Sequence, residues 1–396
     1  MTIAHHTINS MTGLLKAKPG SKEYPQKILW LILLLGLLCR IYIAFFAPLP
    51  NIHTDSKDYF SQADTLLQGG YTNFFPNGYP FIVALVKLIA GSAAISTLLW
   101  INIAMSVCNI YFVFCIASSV FKNHRVALLA AGIIAFFPSQ VNYVRWLMTE
   151  VPAAFFLVGG YHFYFRKNYW LCGIFLGLAT LVRTEFLPVL VLLFLADALF
   201  VKRVNLRLLM GGLLPLLLVG SYCYLKTGEF ALAGHSRFNT LTSVTASGNH
   251  IDFYFANKHP EYNTNAKAVQ LYLDTLKKAP VAYIKSRAAN LWELWGFYAA
   301  ATPSGRMLIT RIIIGLGNFF LIVFGLPAFW RHRKEYKVLI LIIPFVIVTL
   351  VHIVYFAMQR YTYPVEPFMI VLAACSVYAL SHKTLRPDEA LANGNV

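Results

Sequence analysis

Three short segments combine carboxylates with guanidinium or aromatic groups at spacings suited to proton transfer and anion binding. The first, His53-Thr54-Asp55-Ser56-Lys57-Asp58-Tyr59, precedes an amphipathic stretch with Tyr59, Phe60, Ala63, Leu66 and Leu67 at helical spacing, ended by Gly69-Gly70. A carboxylate opening such a helix is ordinarily an N-cap. The helix amino terminus also holds that group in place and keeps it ionised, as a general base requires. Asp55 is the first candidate for such a base and Asp58 the second.

Glu150 stands in Arg145-Trp146-Leu147-Met148-Thr149-Glu150-Val151-Pro152, where a further helix begins. A Glu in a first turn is often only a partner of the helix dipole; here it is also a candidate second acid or, with Asp55, a ligand of a divalent metal. Arg183 and Glu185 share the tight turn Leu181-Val182-Arg183-Thr184-Glu185-Phe186, whose plain reading is an interfacial salt bridge. Gln359-Arg360-Tyr361-Thr362-Tyr363-Pro364 follows His352 by about two turns. A guanidinium beside tyrosines grips phosphate, so Arg360 and Tyr361 are candidate binding groups, with His352, Arg145, Arg183, Lys285 and Arg287 as further supply. Arg40 lies deep in the first apolar run, where a cation is expensive and functional by default.

The elements that must position these groups are membrane helices. Hydrophobic residues make up 58% of the 396 and charged residues only 12%, against roughly 25% charged in a soluble domain. Apolar runs occupy 28–47, 96–120, 126–141, 151–165, 169–181, 186–201, 208–225, 308–330, 338–357 and 368–380. They predict an all-α, polytopic integral membrane protein of about ten transmembrane helices. The first run is longer than a signal-peptide core, and Phe45-Phe46-Ala47-Pro48 is a poor cleavage site, so it reads as a retained span.

The net charge of +17 resides in short Lys/Arg clusters between the runs. That distribution argues against nucleic acid and for the positive-inside pattern. The clusters at Lys16, Lys18, Lys22 and Lys27, at Lys122/Arg125, Arg166/Lys167, Lys202/Arg203/Arg207, Arg331/Arg333/Lys334/Lys337 and Lys383/Arg386 mark cytoplasmic loops, with both termini inside. Parity then makes 79–90 an interfacial or re-entrant helix within one external loop, 48–95. Asp55, Asp58, Asp64, Glu150, Glu185, Glu229, Asp252, Glu261, Asp274, Glu293 and Glu366 all fall outside, an asymmetry that an outward-facing active site would explain. The six cysteines lie in apolar runs without a CxxC, which argues against disulfides and thiolate zinc sites.

The organisation that follows is a cytoplasmic tail (1–27), an N-terminal membrane module (28–225), an external segment (226–306), C-terminal membrane helices (307–380) and a second tail (381–396). In the external segment, 265–278 carries Ala266, Val269, Leu273 and Leu276 at helical spacing. Pro280 opens a second helix whose Trp292 and Trp295 are expected at the membrane interface.

The Arg-bearing first span, the loop pattern Asp55…Tyr59…Ala63…Leu67…Gly69…Pro76…Gly78-Tyr79-Pro80, the turn Thr149-Glu150-Val151-Pro152 and the late Arg360-Tyr361…Pro364…Pro367 resemble the GT-C superfamily of membrane glycosyltransferases. Within it they resemble the group of dolichyl-phosphate-mannose protein mannosyltransferases, lipid A aminoarabinose transferases and rhizobial lipopolysaccharide sugar transferases. The resemblance covers most of the chain, strongest from Leu31 to Arg183 and from Pro260 to Ala373. It implies inverting transfer of a sugar from a polyprenyl-phosphate carrier to a glycan, lipid or protein hydroxyl on the outer face of a bacterial inner membrane, with Asp55 as general base. Family members often show an Asp-Glu pair where this chain has Asp55-Ser56 with Asp58 nearby. Two other readings are a secondary transporter or lipid flippase, which would call for matching halves and mid-membrane ionisable groups, and a polysaccharide polymerase or ligase resting on His235, Arg237 and Arg287.

Overall fold

A computed structural model describes residues 24–47, 54–72, 74–248, 250–296 and 305–384. The tails expected at 1–27 and 381–396, and the start of the first loop at 48–53, lie in large part outside these residues. The helices are α1 (Tyr24–Phe46), α2 (Thr54–Leu67), α3 (Gly78–Ala90), α4 (Ala94–Phe121), α5 (His124–Phe136), α6 (Pro138–Asn142), α7 (Glu150–Phe165), α8 (Tyr169–Val182) and α9 (Leu187–Phe200). They continue with α10 (Leu206–Thr227), α11 (Ser236–Thr245), α12 (Phe255–Lys258), α13 (Asn265–Lys278), α14 (Pro280–Trp295), α15 (Gly305–His332), α16 (Tyr336–Leu341), α17 (Ile343–Val354) and α18 (Glu366–Thr384).

Among the described residues, five helical stretches are long and apolar enough to cross a membrane: Pro25–Phe46, Gly78–Phe121, Leu206–Thr227, Leu308–His332 and Tyr336–Val354. His124–Phe136 and Pro138–Arg145 add a sixth if this pair, bent by 51° at Pro138, is one span. The remaining runs of the sequence fold as shorter helices. The 14 residues of α8 rise only ~21 Å at 1.5 Å per residue, short of a hydrocarbon core of ~30 Å. Large apolar side chains such as Trp30, Leu38, Leu88, Leu217 and Leu225 stand exposed along the long helices, which lipid rather than water accommodates. The chain is an all-helical, multi-pass membrane protein.

The centre of the bundle is α18, whose residues Phe368 through Ala374 are all buried to 1% exposure or less. It packs along α15 and α5, while α4 packs on α5 and α7 and α8 packs on α7 and α10. Glycine permits the last contact. A Cβ on Gly177 would lie 2.5 Å from Pro215 Cγ and one on Gly211 2.6 Å from the Trp170 carbonyl, so the α8 and α10 backbones approach as only small residues allow. Gly78 has the same role at the start of α3: its Cβ would sit 2.5 Å from the Leu181 carbonyl carbon, which brings α3 against the turn that carries Arg183.

Two expectations for the segment before α15 change. Helices α13 and α14 form at the residues expected, but α13 buries Ala268 with Leu271 packed beside it, while Ala266, Val269 and Leu273 are exposed. The small cluster of Leu241 and Ala256 can contact only that narrower face. The two tryptophans also part company. Trp292 is exposed, but Trp295 is buried, donates to Thr349 Oγ1 at 3.0 Å and packs on Phe345, so it fastens α14 to α17.

Candidate active site

A cavity of about 880 Å³ opens where the ends of α2, α7 and α8, the turn 359–362 and the segment 235–257 meet. Asp55, Asp58, Arg145, Glu150, Arg183, Glu185, His352, Arg360 and Tyr361 all line it. Asp55 lies within the first turn of α2, and its Oδ2 accepts from Arg360 Nη2 at 2.6 Å. The expected capping role thus gives way to an ion pair that joins residues 305 positions apart.

Arg360 is shared. Its Nε stands 3.8 Å from Glu150 Oε1, and Arg183 Nη1 approaches the same oxygen at 3.7 Å. Arg183 Nε lies 3.0 Å from Glu185 Oε1, and His352 Nε2 lies 3.1 Å from Glu185 Oε2. Tyr361 is wedged among them: its ring stacks on His352 at 4.3 Å and lies under both guanidinium groups, 4.9 Å from Arg183 and 5.4 Å from Arg360. Three carboxylates therefore face two guanidinium groups and an imidazole.

The turn bearing Arg360 and Tyr361 is held from behind. Glu366 accepts from Thr362 Oγ1 at 2.9 Å, from Gln140 Nε2 at 2.8 Å and from Ser139 Oγ, so it ties this turn to the bend between α5 and α7. Gln140 Nε2 also donates to the Tyr363 carbonyl at 2.9 Å.

The electrostatics show which groups are constrained. Burial alone would push the Glu185 carboxyl up, but Arg183 and His352 reverse this and hold it at about 2. Burial likewise opposes the charge on Arg360, yet Tyr361, Glu150 and Asp55 raise its affinity for the proton well above the ordinary value. Burial and the neighbouring Asp55 push the Asp58 carboxyl up. Because the folded Glu185 value lies below its ordinary 4.5, this carboxylate contributes stability in full above that pH, and the contribution is lost as pH falls from 4.5 toward 2. Glu185→Gln is therefore expected to flatten the acid limb of a thermal-unfolding profile taken from pH 6 to 3; an unchanged limb would dissociate Glu185 from acid stability.

Several polar atoms here are poised for something else. Glu150 Oε2, Glu185 Oε1, Arg145 Nε, Arg360 Nε and His352 Nε2 are sealed from solvent without a hydrogen-bond partner among the described residues. The Glu185 contacts have the distance of ion pairs but not the alignment of hydrogen bonds. Buried polar atoms left unpaired in a cavity are what an anionic or hydroxylated ligand would satisfy.

Three residues expected at the site differ in placement. Arg40 is fully buried in the bundle, where Nε donates to Ser106 Oγ at 2.7 Å and the terminal nitrogens donate to the carbonyls of Gly36, Ala135 and Ile134. It binds α1 to α4 and α5 and needs no carboxylate. Arg287 donates to the carbonyls of Ile353, Val354 and Tyr355 at the end of α17, and to those of Ser243 and Ala246. Lys285 is exposed and does not line the cavity. Helical spacing does not reveal which basic groups face carbonyls rather than a cavity. Arg145 does line it, with Nη2 donating to Asn142 Oδ1 at 2.7 Å.

Cavity residues that the sequence did not single out include Glu293, Arg311 and Phe253. Their one sequence signal was the position of Glu293 among the outward acids. A divalent ion does not fit the donor set: among the described residues no three His, Cys, Asp or Glu side chains converge as ligands, and Asp55 and Glu150 both face Arg360.

No protein-family model and no curated protein matches the sequence. Solved structures do match the fold. The Archaeoglobus fulgidus oligosaccharyltransferase tethered to an acceptor peptide superposes with a TM-score of 0.55 at 14% identity, over 92% of this chain and 50% of that one. The chain shares its fold with this oligosaccharyltransferase. The same archaeal enzyme, AglB, in complex with an inhibitory peptide and a dolichol-phosphate gives 0.52 at 14% identity over 95% of this chain and 53% of that one. ArnT from Cupriavidus metallidurans bound to undecaprenyl phosphate gives 0.49 at 12% identity over 92% and 62%. The chain spans about half the length of the archaeal enzyme.

Proposed function

We propose that this chain is an inverting glycosyltransferase that moves a sugar from a polyprenyl-phosphate donor to an acceptor hydroxyl on the extracytoplasmic face of a bacterial inner membrane, in a bundle of about ten transmembrane helices with both termini cytoplasmic. The observation that carries this reading is the Asp55–Arg360 pair at 2.6 Å, set in a cavity with Arg183, Glu150 and sealed, unpaired polar atoms. The fold shared with the dolichol-phosphate-bound AglB supports it.

The chemistry follows from the pair. A donor phosphate arriving beside Arg360 and Arg183 competes with Asp55 for the guanidinium and releases the carboxylate. Asp55 then takes the proton of the acceptor hydroxyl. The acceptor oxygen forms its bond to the anomeric carbon from the face opposite the phosphate, the carbon–oxygen bond to phosphate breaks, and the polyprenyl phosphate leaves with the electron pair. Preorganised cations stabilise that leaving charge in a water-poor site. Glu150 keeps the two guanidinium groups in place, and Asp58, one turn along α2, is the alternative proton acceptor.

The test is to supply inverted and right-side-out membrane vesicles containing the full chain with radiolabelled polyprenyl-phosphate sugars, and to follow the label into glycan, lipid and protein fractions. Transfer is expected with donor on the outer face only, without added metal. Transfer from a nucleotide sugar supplied on the cytoplasmic face would overturn the proposal.

A further inference from the structure

One carboxyl of the cavity is unused by the chemistry above. Glu293, near the end of α14, is 6% exposed and lines the cavity, yet it makes no hydrogen bond or ion pair among the described residues. Its oxygens are not among the sealed unpaired atoms, so they reach the cavity space rather than the packed interior. Burial pushes its carboxyl up to about 8, against the pull of Arg311. At neutral pH it is therefore largely a protonated group, able to donate one hydrogen bond and accept others.

The surroundings suit a sugar better than a second anion. Thr310, Asn239 and Asn257 add neutral polar groups to the lining, and Phe253 and Tyr254 present exposed rings. A ligand pocket for one compact molecule is ~300–1,000 Å³. At about 880 Å³ this cavity has room beside the Arg183–Arg360 cluster for more than a donor headgroup. Carbohydrate hydroxyls offer both donors and acceptors to a protonated carboxyl that opens on the cavity.

We propose that Glu293, with Arg311 and Asn257, forms a second polar subsite that binds the hydroxyl groups of a carbohydrate acceptor while the donor phosphate occupies the Arg183–Arg360 side. Binding of a carbohydrate here is independent of the transferase reading, and its role as acceptor rests on that reading.

The test uses full-length protein in lipid nanodiscs. Saturation-transfer NMR with a panel of methyl glycosides is compared between wild type, Glu293→Ala, Glu293→Gln and Asn257→Ala, and undecaprenyl phosphate binding is measured on the same samples. At least one glycoside is expected to lose its signal about 10-fold in Glu293→Ala and in Asn257→Ala, and to keep most of it in Glu293→Gln, with undecaprenyl phosphate affinity changed less than 2-fold throughout. Where Glu293→Ala does not fold, Asn257→Ala carries the comparison. Absence of any variant-sensitive glycoside signal, or a parallel loss of lipid-phosphate affinity, would overturn the subsite; so would transfer to a peptide acceptor that is indifferent to Glu293. Sensitive glycoside signals in a protein that transfers no sugar would uphold the subsite and defeat the transferase reading.

Discussion

Asp55→Asn is expected to lower sugar transfer by ~10³-fold, within the range that a positioned general base contributes. The amide keeps the size of the carboxylate and can still meet its neighbours, so the variant should fold and reach the membrane. It removes the anion that now competes for Arg360. Undecaprenyl phosphate should therefore bind Asp55→Asn at least as tightly as it binds wild type. This combination, transfer lost and phosphate affinity kept, separates a base from a binding residue. Asp58→Asn is the internal control: the Asp58 side chain is exposed and makes no ion pair among the described residues, so a loss of only a few-fold is expected. Equal losses in the two variants, or substantial activity in Asp55→Asn, would remove Asp55 from the proton transfer.

Arg360→Leu is expected to have the second large effect, and on two readouts at once. The guanidinium compensates Asp55 and the nearly sealed Glu150 side chain. Removing one partner of a buried pair leaves an uncompensated charge and costs ~3 kcal/mol; the value is placed at the low end because the Asp55 side chain keeps 30% of its exposure. A clear fall in Tm should result. Undecaprenyl phosphate affinity should fall ~100-fold, the scale of a lost charge-assisted fork of ~1.5–3 kcal/mol. Arg360→Lys restores a charge but not the fork, so stability should recover further than phosphate binding does. Normal phosphate affinity in Arg360→Leu would move the lipid phosphate away from this cluster.

Much of the site was legible before the fold. Glu150, Arg183, Arg360 and Tyr361 were readable because they flank apolar runs, Asp55 because it opens an amphipathic helix, and His352 because it is an ionisable group near the end of an apolar run. All six converge on one cavity. The misplacements have a common origin. Arg40 and Arg287 look like candidate phosphate ligands when carbonyl partners are invisible, and helix ends expose such carbonyls in numbers that sequence spacing does not reveal. Glu293 was passed over for the opposite reason. In sequence it is one acid in an amphipathic helix, and only the packing of α14 against α17 and the turn 359–362 turns it toward the cavity.

Sequence alone determined that the chain lives in lipid as helices, because hydrocarbon cannot satisfy a free backbone and each apolar run must close its own hydrogen bonds locally. It also placed most helix ends at clusters of charge, which hydrocarbon disfavours, with Arg40 inside α1 as an exception. Tertiary structure decided which ends meet. Asp55 and Arg360 are 305 residues apart, and their contact depends on the central placement of α18, the close approach that Gly78 permits and the Glu366 tether behind the turn. Those are long-range packing choices, made jointly by many side chains, and no local pattern encodes them.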